Sequence, residues 1–193
     1  SKGKIICLLD SDDFFHKSKI KLIVDYFGDG TRMGVNISYI EEINPMGTAG
    51  SLSLLKSFTA PMIVMNADIL TKANFINILQ HHQKQVASEM TMAVRPHEYK
   101  ISYGVVNHVD GKILGIEEKP VKTFHFNAGI YVLSESIIKE IPKHYFDMTM
   151  LLEKAIEKKI ESSIYVLNDY WMDIGQMEDY KRAQNDYISI FKD

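Results

Sequence analysis

Met62-Ile63-Val64-Met65-Asn66-Ala67-Asp68 is an apolar run that ends on a carboxylate. An unbroken apolar stretch of this length reads as a strand buried on both faces, the kind found in parallel sheets covered by helices. The helical spacing of Phe75, Ile78, Leu79 and His82 then predicts a helix over 73–85, and Met90-Thr91-Met92-Ala93-Val94 reads as the next strand. Working back, Ile5-Ile6-Cys7-Leu8-Leu9 is a similar apolar run, and Ile20, Ile23, Val24 and Phe27 predict a helix over 19–27 that Gly28-Asp29-Gly30 stops. Residues 36–41 read as a strand, and a loop with Pro45 and Gly47 leads to a helix through Leu52 and Leu55.

Downstream the rhythm changes. Residues 103–109 and 113–118 read as a hairpin around Asp110-Gly111, a dipeptide that favours the tight two-residue turn. Residues 127–133 form a further strand, with Ser134 placed to cap a short helix. A helix over 148–159, a strand over 164–167 and a closing helix over 176–191 complete the chain. Strands alternating with helices predict a Rossmann-like three-layer α/β sandwich with a mixed, mostly parallel central sheet. The 193 residues fit one domain, spanning 1–193, with no repeat or linker.

Composition narrows the function classes. The net charge of −3 argues against a nucleic-acid binder that works through a basic face. A single cysteine, Cys7, rules out an internal disulfide framework and a cysteine-built zinc site. No apolar run approaches the ~20 residues of a membrane helix, and no secretory signal opens the chain, so a cytoplasmic protein without a membrane partner is expected.

Five stretches hold residues suited to chemistry. Pro45-Met46-Gly47-Thr48-Ala49-Gly50 lies between a strand and a helix, where glycine allows close backbone approach and helix amides can hold an anion; Thr48 could equally be a plain helix cap. Asp68 sits just past a buried strand, where open α/β sheets bind ligands and where a carboxylate can hold Mg²⁺; it could equally cap the next helix. Glu117-Glu118-Lys119-Pro120 offers an acceptor for sugar hydroxyls and a point charge for phosphate, or is a solvated turn. Asp173, in Trp171-Met172-Asp173-Ile174-Gly175, is a second metal ligand or another cap. Asp10-Ser11-Asp12-Asp13 is a candidate chelator of a diphosphate-bound ion, or an acidic loop. The adjacent His81 and His82 point to different sides of a helix and do not make a joint metal site.

Taken in order, several of these segments resemble the sugar-phosphate nucleotidylyltransferases. The matching segments are Tyr26-Phe27-Gly28-Asp29-Gly30, Tyr39-Ile40-Glu41-Glu42, Pro45 to Gly50, Asn66-Ala67-Asp68, Tyr103-Gly104-Val105-Val106, Glu117 to Pro120, Asn127-Ala128-Gly129-Ile130-Tyr131 and Trp171 to Gly175. The resemblance runs from about Ile20 to the C-terminus. It implies a nucleotide-diphospho-sugar transferase-like fold and transfer of a nucleotidyl group from an NTP to a sugar 1-phosphate, giving an NDP-sugar and pyrophosphate. It implies that Gly47, Thr48 and Ala49 contact the nucleotide, that Asp68 and Asp173 hold Mg²⁺, and that Gly104, Glu118, Lys119 and Asn127 line the sugar-phosphate pocket. Asp68, Lys119 and Asp173 would be the catalytic set.

The chain departs from the family at its start. The family's opening glycine-rich loop, with its Gly-Thr-Arg, is not matched, and Arg32 lies in a different part of the pattern. Residues 2–20 resemble instead the nucleotide-sugar-binding segment of inverting glycosyltransferases. Two alternatives follow: a non-catalytic fragment or chimera that keeps the sugar-nucleotide pocket, and a metal-dependent glycosyltransferase. An exposed sheet edge would also favour a homodimer.

Overall fold

A computed structural model describes residues 5–8 and 17–192. Asp10-Ser11-Asp12-Asp13 lies outside the described residues. The central sheet has five strands in the order β1 (Ile5–Leu8), β2 (Met62–Asn66), β7 (Val121–Leu133), β4 (Met90–Lys100) and β8 (Ser162–Val166). β1 runs parallel to β2, and β8 parallel to β4. β7 is antiparallel to both of its neighbours, β2 and β4. Four strands therefore share one direction and the central one opposes them, the mixed, mostly parallel sheet that the sequence predicts.

Side chains alternate across this sheet, as the pleat requires. Met62, Val64, Met90, Tyr131 and Leu133 face one layer, where they pack with Ala49, Leu52, Ile137, Met148 and Leu151. Ile63, Ala93, Ile130 and Val132 face the other, with Ile78 of helix α3 (Phe75–Lys84) and Leu167. Burial on both faces explains why Met62-Ile63-Val64-Met65 is apolar throughout rather than alternating.

Four expectations need correction. Residues 36–41 form no strand; their amides and carbonyls join no ladder, and Tyr39 and Ile40 stay exposed. The helix after Pro45 is a short turn, α2 (Gly47–Gly50), followed by a tighter 3₁₀ turn at Ser51–Leu54. β4 and β7 run well past the predicted 90–94 and 127–133, pairing residues 95–100 with 121–126 as a two-stranded arm. The alternation of Arg95-Pro96-His97-Glu98 lacks the apolar signature of a core strand, because this arm leaves the core. The closing helix α6 (Met177–Asp186) widens into a π-type turn at Tyr187–Phe191.

The hairpin stands as expected. β5 (Val105–Val109) and β6 (Lys112–Glu117) are joined by Asp110 and Gly111, both with positive φ (48° and 76°), the geometry of a type I′ turn. Two short strands that the sequence did not announce, β3 (Ile69–Thr71) and β9 (Trp171–Asp173), pair antiparallel. α4 (Glu135–Ile138) and α5 (Met148–Glu157) follow β7. Among the described residues, no helix is long and apolar enough to cross a membrane.

Candidate active site

The β3–β9 ladder builds the centre of the site. It sets Asp173 opposite Ile69, and the Ile174 N–H donates to the Asp68 carbonyl at 2.9 Å. Asp68, in the turn between β2 and β3, and Asp173, at the end of β9, lie 105 residues apart in the chain and are brought near each other by this backbone bond. Neither is a helix cap. Asn74 caps α3, accepting from the Ile76 and Asn77 amides, and α6 starts after Gln176. Partial loss of water raises the Asp173 carboxyl above its usual range, and the charge of Asp179 adds to this.

Asn127 adjoins this pair through a bulge in β7. Met92 pairs with Tyr131 but Val94 pairs with Asn127, so residues 128–130 stand opposite Ala93 alone. Gly129 occupies the bulge at φ +67°, where a Cβ would lie 3.0 Å from the Asn66 amide nitrogen. Asn66 therefore touches the bulge from the end of β2, two residues before Asp68. The Trp171 indole N–H donates to the Ala128 carbonyl at 2.8 Å and ties the bulge to β9. Asn127 is held at both ends: its Oδ1 accepts from the Gly129 N–H at 3.0 Å, and its Nδ2 donates to the Tyr131 hydroxyl at 2.6 Å. Asn66, Asp68, Asn127, Gly129, Trp171 and Asp173 form one cluster.

Gly104, Glu118 and Lys119 form a second group, where the hairpin joins the arm. A Cβ on Gly104 would sit 2.9 Å from Glu118 Oε2, so the glycine makes room for that carboxylate. Lys119 takes the left-handed region at φ +47°, rare for a side chain of its size. It lines a cleft of about 440 Å³ with Lys100, Ile101, Ser102 and Val121. Along β7, the seven residues from Val121 to Asn127 span roughly 20 Å of extended strand, so the two groups stand at opposite ends of the arm.

Gly47, Thr48 and Ala49 are already engaged within the protein. The Thr48 N–H donates to Asp147 Oδ1 at 3.0 Å, and the Ala49 and Gly50 N–H groups both donate to the Phe146 carbonyl, at 2.9 and 2.8 Å. The Thr48 hydroxyl accepts from the Met148 N–H at 2.8 Å. Gly47 has φ +73°, and a Cβ there would fall 2.6 Å from Asp147 Oδ1. This motif locks the start of α2 against the segment leading into α5. Ala49 shares its core layer with Tyr131, which accepts from Asn127, so packing links the motif to the central cluster.

Arg32 is taken up locally, donating to the Tyr26 carbonyl with its guanidinium near the Tyr26 ring. The structure adds two residues that the sequence pattern did not single out. Asn66 and Tyr131 lay inside quoted motifs without a role.

The donor set suits a hard cation. Among the described residues no group of three or more His, Cys, Asp or Glu side chains could hold a metal by itself. Asp68 and Asp173 supply two carboxylates, and Mg²⁺ commonly takes one or two from the protein and shares the remainder with water and substrate phosphate. The residues present therefore fit that ion.

Comparison with known proteins identifies the family. The nucleotidyl transferase family matches residues 15–190. A mannose-1-phosphate guanyltransferase of Yarrowia lipolytica is 33% identical over 174 residues, covering 82% of this chain and 46% of that protein. A mannose-1-phosphate guanylyltransferase catalytic subunit beta of Drosophila pseudoobscura pseudoobscura is 31% identical over 171 residues, covering 85% and 46%. The chain thus spans about half the length of the curated relatives it matches. Among solved structures, HddC from Yersinia pseudotuberculosis superposes with a TM-score of 0.61 at 23% identity, covering 96% of this chain and 79% of that one, a likeness of fold. With the family match running over nearly the whole chain, this protein belongs to the nucleotidyl transferase family.

Proposed function

We propose that this chain carries the transfer of a nucleotidyl group from an NTP to a sugar 1-phosphate, releasing pyrophosphate and giving an NDP-sugar. The observation that carries this is the β3–β9 ladder, which brings Asp68 and Asp173 together next to the Asn127 bulge. The names of the curated relatives make GTP and mannose 1-phosphate the first pair to test.

Asp68 and Asp173 would hold Mg²⁺, which when bound offsets the negative charge of the reacting phosphates. The motif assigns Lys119 to the sugar phosphate as nucleophile, a role that requires the arm to bring it to the Asp68–Asp173 pair. A sugar-phosphate oxygen attacks the α-phosphorus in line, a new P–O bond forms, and the bond to pyrophosphate breaks. Such a transfer needs alignment and charge neutralisation more than covalent help from the protein. Glu118 accepts from sugar hydroxyls beside Gly104. Asn127, fixed by Gly129 and Tyr131, presents its remaining N–H to the substrate.

Several side chains of the β5–β6 hairpin, among them Ile113 and Leu114, are largely exposed, which supports self-association as a homodimer, read by light scattering. Substrates of this class are soluble metabolites, which suits a cytoplasmic location.

The test is pyrophosphate release from GTP and mannose 1-phosphate with Mg²⁺, for the wild-type chain, Asp68→Asn and Asp173→Asn. Turnover in wild type that falls at least a hundredfold in both variants supports the reading. A wild-type chain that binds neither substrate would sink it.

A further inference from the structure

We infer that Asn66 binds the ribose of the nucleotide substrate, its side-chain amide bonding the ribose hydroxyls. The inference rests on the proposed transfer reaction and adds a specificity residue for its NTP. It starts from one contact. The Asn66 amide lies against the Gly129 bulge, between the strand end that leads to Asp68 and the segment that fixes Asn127.

The fold brings Asn66 to this place. It is the last residue of β2 and lies one step beyond Met65–Ile130, the final rung of the β2–β7 ladder. Ligands of open α/β sheets bind beyond such strand ends. A Cβ on Gly129 would lie 3.0 Å from Asn66 Nδ2 and 3.2 Å from Asn66 Cγ, so glycine is what lets the amide approach this closely. The Gly129 N–H meanwhile donates to Asn127 Oδ1 at 3.0 Å. Two amide side chains thus flank one glycine. By the alternation of the pleat, Asn66 continues the face of Met62 and Val64. That face packs with Ala49 and Tyr131, and the Tyr131 hydroxyl accepts from Asn127.

The chemistry of the side chain points to a ligand. Asn66 is the one polar residue of β2, after four apolar ones. Among the described residues no hydrogen bond engages its amide, whereas Asn127 is bonded at both ends. Asn66 is half-buried, and it keeps two N–H donors and a carbonyl acceptor for a partner. Reach selects that partner. Two residues of chain span at most ~7 Å, so Asn66 borders the group next to a phosphate held at Asp68. In an NTP the α-phosphate is esterified to ribose. The ribose hydroxyls each donate and accept, and an amide can meet them with both of its ends. Ala49, which the family resemblance gives to the nucleotide, packs on the same face of β2.

The experiment is calorimetric titration of the full chain, with Mg²⁺ present, for wild type, Asn66→Ala and Asn66→Leu. The titrants are GTP, 2′,3′-dideoxy-GTP and mannose 1-phosphate. Circular dichroism melts confirm that each variant is folded, and Asn66→Leu keeps the volume beside Gly129 filled. Both variants are expected to bind GTP about tenfold more weakly than wild type, the size of one lost hydrogen bond. Wild type is expected to lose a similar factor with 2′,3′-dideoxy-GTP, and the variants should lose nothing further with it. Mannose 1-phosphate should bind all three proteins alike. Wild type binding GTP and its dideoxy analogue equally would overturn the inference, even if neither variant folds. Variants that bind GTP like wild type, or that weaken both nucleotides equally, would also overturn it and leave the transfer reaction standing. A loss confined to mannose 1-phosphate would do the same, because the amide would then read the other substrate. Wild type that binds no nucleotide, and releases no pyrophosphate with any sugar 1-phosphate, would overturn both.

Discussion

The Trp171 indole N–H donates to the Ala128 carbonyl at 2.8 Å, joining two segments that lie 43 residues apart in the chain. That carbonyl belongs to a strand bulge and has left the ladder, so the indole is the partner that satisfies it. The same bond fixes β9, and with it Asp173, against Asn127. Trp171→Phe keeps most of the ring and removes the donor. We expect a stability loss of about 1–2 kcal/mol, the cost of one lost bond plus an unsatisfied carbonyl. We also expect turnover to fall more than a stability loss of that size explains, since both Asn127 and Asp173 lose their anchor. Urea denaturation and steady-state kinetics on the same samples check the pair. Unchanged kinetics would mean that the bond serves stability alone.

Gly47 and Thr48 test whether the motif after Pro45 acts first on folding. Gly47→Ala places a Cβ 2.6 Å from Asp147 Oδ1 and 2.9 Å from the Phe146 carbonyl, at a φ of +73°. Backbone oxygen cannot move aside cheaply, so a loss of about 2–3 kcal/mol is expected from strain and clash together. Thr48→Val removes the acceptor of the Met148 N–H and should cost about 1 kcal/mol. Denaturant midpoints measure both. If Thr48→Val leaves stability intact and weakens GTP binding instead, Thr48 serves the nucleotide rather than α5.

The difference between what sequence shows and what it hides is visible at particular residues. Met62-Ile63-Val64-Met65 is legible because both faces of a central strand are buried, and no other short element demands an unbroken apolar run. Asp110-Gly111 is legible because two positive φ values in a row leave few choices of residue. The strand expected at 36–41 fails because its alternation finds no sheet edge to join. β3 is too short to announce itself; its three residues become a strand only because β9 pairs with them from a hundred residues away. Asp68 and Asp173 could be picked out by their positions after apolar segments, yet only the β3–β9 pairing brings their backbones near each other.

His82 is expected to make stability depend on pH. It is buried under the sheet, with Nδ1 at 2.8 Å from the Thr91 hydroxyl and Nε2 at 3.1 Å from the Ser134 hydroxyl. Burial holds its pKa below the usual 6.5; Glu89 pulls it up and His81 pushes it down by lesser amounts. At pH above 6.5 the ring is neutral in both the folded and unfolded chain, and its contribution to stability is complete. Below 6.5 the unfolded chain takes the proton first, so stability falls until the pH reaches the lower folded value. Melting temperatures between pH 7.5 and 5.5 should drop for wild type, and the drop should be smaller in His82→Gln. An equal drop in both would assign the pH dependence to other groups.

Gly104→Ala separates pocket from scaffold. The backbone there is not in the left-handed region, so alanine brings no conformational strain. Its Cβ meets Glu118 Oε2 at 2.9 Å and Ile116 Cδ1 at 3.1 Å, both ends of flexible, largely exposed side chains that can swing away. Stability should therefore change by no more than about 0.5 kcal/mol, as for ordinary surface substitutions. The Glu118 carboxylate, however, must leave the position from which it would accept a sugar hydroxyl. The KM for sugar 1-phosphate is expected to rise by about tenfold, the size of one charged hydrogen bond, while the KM for NTP stays the same. Glu118→Gln should raise the same constant without a change in fold. If Gly104→Ala lowers the melting temperature and leaves both KM values alone, the glycine shapes the hairpin base and the sugar is held elsewhere.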